Sequence, residues 1–185
     1  KVIEAFGHFL VGGNFAVALP DPALCFAAMK NLHLSVHLGT KLNRSHLLVG
    51  RETFLLPVLG RTEIDVQANG PQSITVEDSM SMVHASAGRL KPASAHLRSE
   101  VAIVAGMARA TLVDSTTDWP GLVDDYDRIR DLIELTIPGF DDYNHRIRVR
   151  GGFRVPRPAT GRKGNTPSGK AMFSVCPGVR ERYEP

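Results

Sequence analysis

An apolar run through Phe6, Phe9, Leu10 and Val11 stops at Gly12-Gly13-Asn14, and a helix start follows at Asp21-Pro22. This succession constrains the fold more than any other feature. The run reads as a buried strand ending in a tight glycine loop. Asp21 supplies a capping acceptor and Pro22 suits the first helical position, ahead of Leu24, Phe26, Ala27, Ala28 and Met29. Leu32, Leu34, Val36 and Leu38 then alternate with polar or small residues, and residues 53–58 form another apolar run, so two further strands are expected. Strands separated by a helix and by a polar connection imply an α/β fold with a mostly parallel sheet and flanking helices. The segment Gly39-Thr40-Lys41-Leu42-Asn43-Arg44-Ser45-His46, a loop or short helix, follows the second strand directly. Ligands sit at such carboxyl ends in open α/β sheets.

Residues 60–73 are rich in turn formers and charge, and residues 75–84 read as irregular or short extended structure. Helical periodicity resumes over residues 94–110, with Leu97, Val101, Val104 and Ala108 at spacings of three and four. A second helix is expected from Trp119-Pro120 through Ile137, ended by Pro138-Gly139. The division is residues 1–144 as an α/β unit and residues 145–185 as an irregular Gly/Pro/Arg-rich segment, poorly packed in isolation.

The 185 residues, 43% hydrophobic and 22% charged, are enough for one core. Residues 145–185 carry ten Lys and Arg against two acids, a balance of +8, which leaves −5 for residues 1–144 in a chain of net charge +3. Those arginines are interleaved with Gly and Pro and have few aromatic neighbours, which argues against nucleic-acid binding. No apolar run is long enough to cross a membrane. Cys25 and Cys176 lack the spacing of a zinc or iron–sulfur site and read as reduced thiols in a reducing, cytoplasmic compartment, with Cys25 in the core.

The strings Leu10-Val11-Gly12-Gly13-Asn14-Phe15-Ala16, Thr40-Lys41-Leu42-Asn43-Arg44-Ser45-His46, Leu55-Leu56-Pro57, Thr75-Val76-Glu77-Asp78-Ser79-Met80-Ser81 and Pro138-Gly139-Phe140-Asp141-Asp142-Tyr143-Asn144 stand in this order. As a set they resemble the catalytic subunit of the formate-dehydrogenase-like molybdopterin oxidoreductases. Thr166-Pro167-Ser168-Gly169-Lys170-Ala171-Met172-Phe173 resembles the segment opening that family's C-terminal dinucleotide-binding barrel.

The resemblance implies an internal fragment: part of a molybdopterin α/β domain with its return segments, then a linker and the start of the barrel. It implies a cofactor, molybdopterin guanine dinucleotide carrying molybdenum, with a small-molecule substrate and the remainder of the catalytic subunit as partners. The metal ligand and any iron–sulfur cluster would belong to upstream residues, so this chain alone is expected to be inactive and to hold neither molybdenum nor iron. A different class of function stays open, a non-catalytic α/β nucleotide- or protein-binding module derived from the same scaffold.

A pyrophosphate and a guanosine require close backbone approach, N–H donors and fixed polar groups at strand ends. Gly12, Gly13 and Asn14 suit such a loop, and the resemblance lays them against the dinucleotide; a plain strand-to-helix turn is the alternative. Many relatives have proline where this chain has Phe15, and Leu38 replaces an acidic residue usual at the next strand end. His37, Thr40, Lys41, Asn43 and Arg44 are therefore the candidates there, Lys41 and Arg44 for phosphate, with solvated loop charges as the alternative. Glu100 occupies the place where relatives carry an acid that can accept from guanine, though an acid in a first helical turn also compensates the helix dipole. Glu63, Glu77 and Asp78 read as loop acids that position neighbouring segments. His84 and His96 read as structural or exposed.

Overall fold

The computed structural model describes residues 6–19, 21–155, 161–162 and 164–173. Three strands, β1 (Gly7–Val11), β2 (Leu34–Gly39) and β3 (Glu52–Pro57), form a parallel sheet in the order β1-β2-β3. The chain is α/β, as its pattern of strands and helices predicts. Helices α1 (Phe15–Ala18) and α2 (Pro22–Lys30) connect β1 to β2, and a single 3-10 turn, Arg44–Leu47, lies between β2 and β3. The Asp21 carboxylate accepts from the Leu24 N–H at 3.1 Å with Pro22 at the first helical position, so α2 begins where the sequence places it.

Each face of this sheet has its own core. Ala16, Cys25, Met29 and Leu48 cluster on one side, with Leu10, Phe15, Leu19 and Phe26 packed around them. Val36, Leu38 and Val58 cluster on the other, against Ile103 of α3 (Glu100–Thr111). Met29 and Leu32 are fully buried, and burying a side chain of that size contributes about 1.5–3 kcal/mol.

The parallel pattern stops at β3. The turn-rich stretch holds a two-stranded antiparallel hairpin, β4 (Val66–Gln67) with β5 (Gly70–Pro71). The stretch expected to be irregular or short extended is a second hairpin, β6 (Ile74–Glu77) with β7 (Met82–Ser86). Asp78 closes it by accepting from the Met80 and Met82 N–H groups at 2.9 and 3.0 Å.

Two helix expectations are corrected. Residues 94–98 are not helical: Arg98 bridges Val58 in parallel and its carbonyl accepts from the Leu59 N–H at 3.0 Å, so its backbone is committed to the strand end. Helix α3 starts instead at the Ser99 cap, whose hydroxyl accepts from the Ala102 N–H. The long helix from Trp119 is two helices, α4 (Trp119–Asp124) and α5 (Asp127–Thr136). Asp125 is extended between them, with carboxylate oxygens accepting from the Asp127 N–H and the Asn69 amide, while the Tyr126 N–H donates to Gln72. Tertiary partners replace the intrahelical bonds at that point.

The segment after residue 144 is packed over its first part. Ile147 and Phe153 join Val83 and Tyr143 in a third core cluster, supported by α6 (Tyr143–Arg146) and by β8 (Phe153–Arg154), which pairs with β7. The Arg146 guanidinium lies 3.7 Å from the Phe153 ring centre, so the basic segment contributes a cation–π contact. Cys176 lies outside the described residues, and the proposed barrel opening is described only up to Phe173.

Candidate functional site at the carboxyl end of the parallel sheet

The glycine loop leaves β1 with both glycines in the left-handed region, Gly12 at φ +68° and Gly13 at φ +74°. Side chains with a Cβ are strained there, which explains two successive glycines. The Gly12 N–H still donates to the Leu38 carbonyl at 2.8 Å, holding the loop onto the end of β2. A Cβ at Gly12 would lie 3.7 Å from a Glu100 carboxylate oxygen, whereas a Cβ at Gly13 would meet nothing within 4 Å. Residues far apart in the chain, the glycine loop and the first residue of α3, therefore meet at one end of the sheet.

Beside them lies a cleft of about 820 Å³ whose walls include Thr40, Lys41, Arg61, Glu63, Asp65 and Glu100. A smaller cleft of about 290 Å³, lined by His37, Gly39, Thr40, Lys41, His46 and Pro57, adjoins it at the ends of β2 and β3. Thr40 and Lys41 border both. Arg44 is exposed on the 3-10 turn and lines neither cleft.

The Asn43 side chain and the Asn14 side-chain oxygen bond the protein itself. The Asn43 amide donates to the Gly13 carbonyl at 2.7 Å, its oxygen accepts from the Ser45 N–H at 2.9 Å, and its own N–H donates to His46 Nδ1 at 2.8 Å. The Asn14 side-chain oxygen accepts from the Ser45 hydroxyl at 3.3 Å.

His37 is 1% exposed, and neither ring nitrogen has a hydrogen-bond partner among the described residues. Its ring centre lies 5.4 Å from that of His8 and 5.1 Å from that of His46. Burial, followed by the charges of His8 and His46, lowers its pKa to about 4. At neutral pH it presents a neutral imidazole, so it offers phosphate no charge.

Other residues shape the walls of the cleft. Glu63, read as a positioning acid, accepts from the Gly60 and Ala93 N–H groups at 2.7 and 2.9 Å, and those bonds hold its carboxyl below the usual range. Behind the cleft, the Tyr126 hydroxyl bonds Asp65 at 2.5 Å and Ser99 at 2.7 Å. This network ties the hairpin β4–β5, the cap of α3 and the break between α4 and α5 to one wall. Ser45, Asp65, Ser99 and Tyr126 are ordinary residue types at unremarkable spacings, and only their tertiary partners mark them. Cys25 is buried, as its helix pattern suggested. His96 is exposed, and the part-buried His84 bonds the neighbouring Ala85 carbonyl at 3.3 Å.

Among the described residues no group of three or more His, Cys, Asp or Glu is placed to hold a metal ion. Nor is any described helix long and apolar enough to cross a membrane.

No protein-family model matches the chain, and no solved structure matches it. Among curated proteins, it is 56% identical over 178 residues to Protein YdeP of Escherichia coli (strain K12), a match covering 96% of this chain and 24% of that protein. It is 48% identical over 169 residues to the "Uncharacterized oxidoreductase Rv2900c" of Mycobacterium tuberculosis (strain ATCC 25618 / H37Rv), covering 90% of this chain and 22% of that protein. The chain thus spans about a quarter of the length of the curated relatives it matches, and is similar to one segment of larger proteins, some of which bear the name oxidoreductase.

Proposed function

We propose that this chain is part of a larger oxidoreductase of the formate-dehydrogenase-like molybdopterin class, and that its parallel sheet supplies one wall of the site for a molybdopterin guanine dinucleotide. The observation that carries this reading is the convergence of the left-handed Gly12-Gly13 loop with Glu100, beside a cleft bordered by Thr40 and Lys41. The names of the mycobacterial relatives support the oxidoreductase part. The pterin and formate-like parts rest on the sequence resemblance.

The residues present fit part of such a ligand. The left-handed Gly12-Gly13 loop, with nothing among the described residues within 4 Å of a Cβ position at Gly13, leaves room for close backbone approach to a pyrophosphate. Lys41 supplies a point charge for phosphate, Thr40 a hydroxyl, and Glu100 a carboxylate whose two oxygens match the adjacent N–H donors of guanine. Asn14 and Asn43 shape the loops, His37 offers only a neutral imidazole, and Arg44 on the neighbouring turn is a peripheral charge. When bound, the cofactor would supply two-electron transfer to or from a small substrate, while the protein binds and orients it. The metal ligand, any iron–sulfur cluster and the substrate funnel would come from the remainder of a cytoplasmic catalytic subunit.

Acid release of nucleotide from the full-length protein, purified with its cofactors, tests the reading. Stoichiometric guanine nucleotide is expected in the wild type, with a large loss in Gly12→Val and a partial loss in Lys41→Ala. Wild-type protein without guanine nucleotide, or both variants retaining it fully, would sink the assignment.

A further inference from the structure

The loop after β1 and the loop after β2 are stitched together by an exchange of caps. Asn14 occupies the cap position of α1, yet its side chain makes no bond to its own helix. A capping asparagine ordinarily accepts from an N–H one turn in. Here that N–H, on Ala16, donates at 3.0 Å to the Ser45 hydroxyl, a residue from the other loop. The displaced Asn14 oxygen accepts from the same hydroxyl. Only a group that both donates and accepts can fill this position, and Ser45, 1% exposed, has both capacities committed inside the protein.

Asn43 completes the exchange. It caps its own 3-10 turn through the Ser45 N–H and reaches across with its amide to the Gly13 carbonyl. The glycine loop is thus held at Gly12 by β2, at Gly13 by Asn43, and at Asn14 and Ala16 by Ser45. Helix α1 is four residues long, and a helix that short has no stability of its own in water. Its formation and the left-handed turn before it depend on the neighbouring loop.

We propose that Ser45 and Asn43 are positioning residues that lock the two loops into one preformed unit, so that the ligand-binding end of the sheet is rigid before any ligand arrives. This rests on the nucleotide-site reading for its functional consequence, while the locking itself is a property of the ligand-free chain. Preorganisation removes an ordering cost that binding would otherwise carry. It also divides the labour: Ser45 and Asn43 set the geometry, and Lys41 and Glu100 are left to touch the ligand.

Hydrogen–deuterium exchange on the full ligand-free chain tests the lock, with Ser45→Ala, Asn43→Ala, Asn43→Asp and Lys41→Ala. At about 1 kcal/mol per hydrogen bond, exchange in peptides covering residues 12–18 should accelerate roughly fivefold in Asn43→Ala, which loses one bond to this loop, and roughly thirtyfold in Ser45→Ala, which loses two. Asn43→Asp keeps the acceptor for the Ser45 N–H and loses the donor to Gly13, so residues 12–14 should speed up while residues 43–47 stay protected. Lys41→Ala should change neither. Unchanged exchange over residues 12–18 in Asn43→Ala, with its melting temperature retained, overturns the proposal, and this variant decides the matter if Ser45→Ala fails to fold.

Titration with guanosine diphosphate provides the readout that a merely structural role would not move. The affinity lost in Asn43→Ala should be insensitive to salt, whereas the loss in Lys41→Ala should shrink as salt rises. A salt-dependent loss in Asn43→Ala would make it a ligand contact and overturn its positioning role. Failure of the wild type to bind the nucleotide, with accelerated exchange still seen in the variants, would remove the nucleotide reading and leave the lock standing.

Discussion

His37 shows how one residue can couple the fold to pH. Its folded-state pKa, lowered to about 4, lies below the ordinary histidine value of 6.5. Above pH 6.5 the imidazole is neutral in both folded and unfolded chains and contributes nothing to the pH dependence. As pH falls from 6.5 towards 4, the unfolded chain takes up a proton that the folded chain refuses, so stability is lost across that window and levels off below it. The loss should reach about 3 kcal/mol for His37, and His8, whose pKa burial also lowers, acts in the same direction. Urea unfolding between pH 7 and pH 4.5 measures it, and His37→Phe should flatten the curve; an equal slope in that variant would refute the assignment. Among the cations, Arg44→Ala should leave nucleotide occupancy nearly unchanged because Arg44 lines neither cleft, in contrast to Lys41→Ala. Tyr126 is 2% exposed, and burial followed by its hydrogen bond to Asp65 pushes its hydroxyl well above the ordinary range. Tyr126→Phe should cost about 1–3 kcal/mol in urea unfolding, since it strips the Asp65 and Ser99 oxygens of a shared partner.

At the scale of elements, helix caps decide the boundaries that periodicity misplaces. Leu97 fits the spacing of α3 but lies before it, lining the large cleft, while Ser99 starts the helix. Ser99→Ala removes both the cap on Ala102 and the bond to Tyr126, so it should lower stability by about 1–2 kcal/mol. Circular dichroism melts beside Tyr126→Phe and the double variant would check the coupling, because the two single effects should fail to add. The break between α4 and α5 has the same origin. An apolar spacing that runs unbroken from Leu122 to Ile133 cannot report that Gln72 and Asn69 bond the backbone and the carboxylate of the intervening residues.

At the scale of the whole molecule, the parallel sheet is open at both edges among the described residues. Phe9 on β1 and Phe54 on β3 are 52% and 54% exposed, and the outer edges of both strands have no strand neighbour among the described residues. Parallel sheets are ordinarily covered on both faces, and apolar open edges promote association. The chain alone should therefore self-associate, and Phe9→Lys or Phe54→Lys should shift it towards monomer in sedimentation experiments without lowering the melting temperature by more than a few degrees. Association unchanged in both variants would point to another surface.

The order strand, glycine loop, helix, strand, polar loop, strand was legible in the sequence because local rules dictate it. Alternating or continuous apolar runs make β1, β2 and β3, Asp21-Pro22 starts α2, and two successive glycines permit the left-handed turn that ends β1. Among the candidates, Gly12, Thr40 and Lys41 are residue types that suit a strand end, whereas Glu100 was named through the family resemblance. What only the tertiary structure decided is which of them meet. The approach of Glu100 to Gly12, the commitment of Asn43 to Gly13, the capping of α1 by Ser45 and the assembly of Tyr126 with Asp65 all join residues distant in sequence. A hydrogen bond across such a distance leaves no periodic trace, because it depends on packing that brings the two backbones together rather than on the conformation either would adopt alone.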